Sequence, residues 1–93
     1  MKTVVIQIGN SDNKLTQSEW AHFVAAMKLV VESHSHQVHF FGGAETWAPW
    51  QNVCWVVLVL PERLDALREQ IYTCRRAWKQ DSAAVLVGDT EFI

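Results

Sequence analysis

Ninety-three residues, 49% of them hydrophobic and 19% charged, make one globular domain that buries about 60–70% of the surface its unfolded chain exposes, and they exclude a disordered chain. A formal net charge of -2, with Arg75 and Arg76 the one adjacent pair among eight Lys and Arg, argues against a nucleic-acid binder that relies on neutralising phosphates. The amino-terminal run turns polar at Gln7, too early for the apolar core of a signal peptide, so the expectation is a soluble cytoplasmic protein that does not engage a membrane.

In chain order, residues 3–8 alternate as a strand, with Val4, Ile6 and Ile8 toward the core and Thr3, Val5 and Gln7 on the other face. Turn-forming residues 9–13 follow. Thr16 and Glu19 have the spacing of a capping box, and Leu15 and Trp20 that of a hydrophobic staple. They start a helix over residues 17–32 whose apolar stripe is Trp20, Phe23, Val24, Met27 and Val31.

Residues 37–41 read as a short strand with Val38 and Phe40 inward, ended by Gly42 and Gly43. The connection over residues 42–52 is long for a hairpin and carries Trp47, Pro49 and Trp50. Residues 53–60 are apolar without interruption and rich in β-branched types, as a central strand covered on both faces requires. Pro61 suits the first turn of a second helix over residues 62–80, with a stripe of Leu64, Leu67, Ile71, Cys74 and Trp78. A last strand spans residues 83–87, before a tail that ends in Phe92 and Ile93. Cys54 and Cys74 lie inside these periodic segments, as buried thiols in a reducing compartment do.

Strand, helix, strand, strand, helix, strand predicts an α+β, ferredoxin-like βαββαβ domain spanning residues 1–93: a four-stranded antiparallel sheet with two helices on one face. That fold hosts many functions. On its helix-free face the alternation places Gln7, His39 and Phe41, together with either the odd or the even residues of 53–60, so the face Trp55 occupies stays open. Either set leaves an apolar surface of the kind that marks association. The alternative is that the 42–52 connection and the Phe92–Ile93 tail fold over it.

The expected function is a small non-catalytic binding or assembly module. It associates with itself, as a dimer, or with a partner protein through this face and the 47–52 loop: Trp47, Trp50, Gln51, Asn52, His39, Phe41 and Gln7. The alternative class is a small-molecule sensor or cofactor-independent enzyme with a pocket near Trp47, Trp50, Asn52 and His39. No cofactor is expected.

Asn10 and Ser11, just before the first helix, offer a weak anion site in place of a phosphate loop. In topology and in Gly9 this segment resembles regulatory ACT domains, which hold small ligands there. His34, His36 and His39 match no strong zinc spacing, so no metal is assigned. RNA-recognition domains share the topology, but residues 4–8 carry no aromatic group and residues 53–60 no Lys or Arg. The fold also resembles that of cofactor-independent monooxygenase-like dimers. Trp47, Trp50, Asn52, Trp55, Tyr72 and Trp78 are residue types that line pockets in that family.

Overall fold

The computed structural model describes residues 1–10, 12–44 and 51–93. The elements are β1 (Lys2–Gly9), α1 (Gln17–His34), β2 (Gln37–Gly43), β3 (Asn52–Val59), a 3-10 turn (Pro61–Arg63), α2 (Leu64–Ala77) and β4 (Ala84–Gly88). All strand pairs are antiparallel, in the order β2-β3-β1-β4, which is the ferredoxin-like α+β arrangement. Among the described residues, no helix is long and apolar enough to cross a membrane.

Alternation along the two central strands decides what each face carries. Val4, Ile6 and Ile8 of β1 lie opposite Val57, Trp55 and Val53 of β3, and most of these side chains are sealed under the helices. Trp55 therefore points to the helix side, where it is the largest fully buried side chain. Phe23, Met27 and Val31 of α1 and Leu67, Ile71 and Cys74 of α2 complete the same core. The two helices meet through an aromatic group in which the Trp20 and Trp78 rings each lie 6.2 Å from Phe23.

Local chemistry sets the helix ends. The Thr16 Oγ1 accepts the Glu19 N–H, and the Glu19 carboxylate accepts the Thr16 N–H at 2.9 Å, so the capping box is complete. At the end of α2, Gln80 N–H donates to the Arg75 carbonyl and Lys79 N–H to the Arg76 carbonyl, a Schellman closure. Closing it forces Lys79 to φ 56°, where glycine is the usual occupant.

Two expectations for β2 are corrected. Its pairing with β3 slips between Val38 and Phe40, leaving His39 as the extra residue of a β-bulge. Beyond the bulge every side chain changes face. Phe40 lies opposite Val56 on the helix-free side, and Phe41 lies opposite Trp55 on the helix side. The Phe41 ring is 5.2 Å from that of Trp55, with the Lys28 ammonium of α1 4.6 Å above it. Phe41 is thus a core-edge residue rather than part of the open face, and Phe40 takes its place there.

Candidate protein-binding face

The face of the sheet without helices is built from rows of directly opposed residues. Its middle row runs Phe40, Val56, Val5, Leu86 and crosses all four strands. Phe40 is 51% and Leu86 67% exposed, while Val5 and Val56 are half-buried between them. One flanking row is Gly42, Cys54, Gln7, Ala84, and the other is Gln37, Leu58, Thr3, Gly88. No strand residue in these rows carries a charge. The Phe40 ring lies across Gly42, where an added Cβ would come within 2.7 Å of it, so glycine lets the ring lie flat on the sheet.

Several residues singled out in the sequence fall on or beside this face. Gln7 lies on it, next to Cys54. Cys54 is half-buried there rather than enclosed, whereas Cys74 is in the core, where burial pushes its thiol pKa up. Gln7 and Asn52 line an open, largely polar cleft of about 530 Å³ at one end of the sheet, with Asp12, Asp81 and Ser82 across from them. His39 is exposed at the bulge on the opposite edge strand, away from that cleft. Trp47, Trp50 and Ser11 lie outside the described residues.

Gln51 and Asn10 turn out to hold the fold together. The buried Asn10 amide donates to the Leu15 carbonyl at 3.0 Å and to Gln51 Oε1 at 2.9 Å, and its oxygen accepts the Leu15 N–H. Gln51 also accepts the Asn10 backbone N–H on its carbonyl and donates its own amide to Gln17. This clamp joins the β1–α1 loop to the start of β3 and leaves the Asn10 side chain no donor for an anion. The sequence held no sign of it, because the partners are 41 positions apart.

The Phe92 and Ile93 side chains do not cover the face; they are 87% and 116% exposed. Among the described residues the tail is tied at its start, by Lys2 to Asp89 at 2.8 Å and by a hydrogen bond between Thr3 and Thr90. Among the described residues, no group of three or more His, Cys, Asp or Glu is placed to hold a metal ion. The indole N–H of Trp55 is buried and has no partner among them. No protein-family model matches the chain, and a search of curated proteins finds no relative.

Proposed function

We infer that the chain is a non-catalytic assembly module that docks through its helix-free sheet face, onto a second copy or another protein. One observation carries the reading: an uncharged apolar band, Phe40–Val56–Val5–Leu86, spans the whole width of the sheet while both helices cover the other side. Contiguous apolar surface of that kind is a mark of association. The absence of charge also suits a twofold contact, in which each residue near the axis meets its own kind. Two cysteines, neither in a disulfide, support a reducing, cytoplasmic setting.

Val56→Lys is the direct test, because Val56 is the band's midpoint and a lysine stem can rise out of a half-buried site. Light scattering across concentrations should show a larger assembly for the parent than for the variant, with unchanged melting. Labelling of the Cys54 thiol should slow as the face closes. A parent that stays monomeric, with Cys54 labelled at one rate at every concentration and with cell extract added, would defeat the reading.

The cleft lined by Gln7 and Asn52 favours a second reading, a small-molecule sensor. Tryptophan fluorescence or melting temperature should then respond to a metabolite set, and Asn52→Ala should abolish the response. Silence across the set counts against it.

A further inference from the structure

We propose that the free edge of β4 pairs antiparallel with the β4 edge of a second copy, about a twofold axis near Leu86, joining two four-stranded sheets into one. Among the described residues β4 pairs only with β1, in an unbroken register from Thr3–Gly88 to Gln7–Ala84. The strand is Ala-Val-Leu-Val-Gly. It lacks the lysine, proline and bulge that proteins place on an edge to prevent pairing. The opposite edge, β2, has such a device in the His39 bulge.

Charge supplies the argument for a second copy. Along the side of α2 nearest β4 run Asp65, Arg68, Tyr72 and Arg75, spaced so that they share one helical stripe. The last three, with Ile71 and Val85, line an open groove of about 260 Å³ between helix and strand. Asp65, wholly exposed and 3.6 Å from Arg68, stands at one end of the stripe; at the other the Arg75 guanidinium lies over the half-exposed Tyr72 ring and donates one N–H to the Gln80 carbonyl at 2.9 Å, with further N–H donors for a partner carboxylate. When β4 pairs antiparallel about a twofold, the two α2 helices also run antiparallel. Asp65 of each copy is then set toward Arg75 of the other, and every such contact is made twice.

Edge pairing sets Leu86 beside Leu86 of the second copy and makes one band of the two. This last benefit rests on the open-face reading; the edge pairing does not.

Amide hydrogen exchange across a concentration series is the experiment. In an antiparallel edge strand alternate N–H groups turn toward the neighbour and the others turn outward. As light scattering reports dimer, both sets of amides over Val85, Leu86 and Val87 should become protected. Outward amides that exchange freely in a dimeric sample overturn the proposal, as does a protein that stays monomeric. Asp65→Arg and Arg75→Asp should each weaken the dimer roughly three- to tenfold, since symmetry breaks two ion pairs at once, and the double variant should recover most of the loss. Equal dimerisation of all four proteins would refute the arrangement. Val56→Lys separates the two readings. A dimer that survives it with Cys54 freely labelled is edge-paired, while one that it abolishes is held by the open face and sinks the edge.

Discussion

The two faces of this sheet are made from the same strands and nearly the same residue types, yet one is a core and the other a surface. On one side Val4, Ile6, Trp55, Val57 and Val59 are wholly buried; on the other Val5, Val56 and Leu58 are half-buried, and Phe40 and Leu86 more exposed still. Hydrophobicity alone does not separate them. The helix stripes do, because α1 and α2 bring Phe23, Met27, Val31, Leu67 and Ile71 to one side only. Among the described residues no second layer covers the apolar band on the open side. The comparison therefore predicts that neighbours in sequence differ sharply in what their loss does.

Trp55 and Cys54 give the largest contrast. Trp55→Ala should destabilise by about 3–5 kcal/mol, the range for a fully buried Trp truncation. A domain of this size holds roughly 5–14 kcal/mol in all, so the variant will be near unfolding. Cys54→Ala should shift stability by less than about 1 kcal/mol, because its thiol is only half-buried, on the sheet face away from the helices. Denaturant titration of the two variants checks this, and comparable losses would mean that the open face is covered after all.

Phe41 and Phe40 test the bulge. Phe41→Ala should cost about 1–3 kcal/mol, less than a fully buried phenylalanine because the residue is 42% exposed at the edge of the core. It also removes the ring under Lys28. Phe40→Ala should cost under about 1 kcal/mol and weaken association instead. Deleting His39 sharpens the point: if it is only the extra residue, Phe40 stays opposite Val56 and Phe41 opposite Trp55. Loss of the cross-strand NMR contact between Phe41 and Trp55 in that deletion would show that the bulge is needed to set the register.

How legible each face was in the sequence follows from what each pattern encodes. The helix stripes, the capping box and the inward set of β1 are periodic signals, and the structure places them as their spacing requires. Residues 53–60 are apolar at every position, so their alternation has no direction and Trp55 could not be assigned a face. In β2 two adjacent phenylalanines fit either register, and a single extra residue, with nothing in its identity to mark it, exchanged them. The Asn10 clamp depends on a partner from another strand, which no local pattern reveals.

The helix layer that separates the faces also carries a local cost. Lys79 is held at φ 56° so that α2 can close on Arg75 and turn toward β4. A side chain at that conformation is disfavoured by about 1–2 kcal/mol, part of which glycine returns through its greater freedom in the unfolded chain. Lys79→Gly should therefore stabilise by roughly 0.5–1 kcal/mol, read as a raised melting temperature, with association through the open face unchanged. A lower melting temperature would show that the Lys79 side chain contributes more than its backbone costs.

The smallest effect expected separates the faces by pH. Glu19 accepts the Thr16 N–H, which holds its carboxyl below the ordinary value of 4.5. The unfolded chain then binds the proton at higher pH than the folded one, so the box stabilises fully above that ordinary value and is lost as pH falls through the folded value. Asp81 and Asp89, held low by Lys14 and Lys2, act with the same sign below their ordinary 3.8. All three are exposed, so each contribution is screened and modest. Glu19→Gln should flatten the fall of melting temperature between about pH 5 and 3 relative to the parent. The open-face strand residues include no carboxylate to titrate, so association made through that face alone should stay level over the same range. A parent and a Glu19→Gln variant with identical acid slopes would mean that the capping box adds nothing to the covered side.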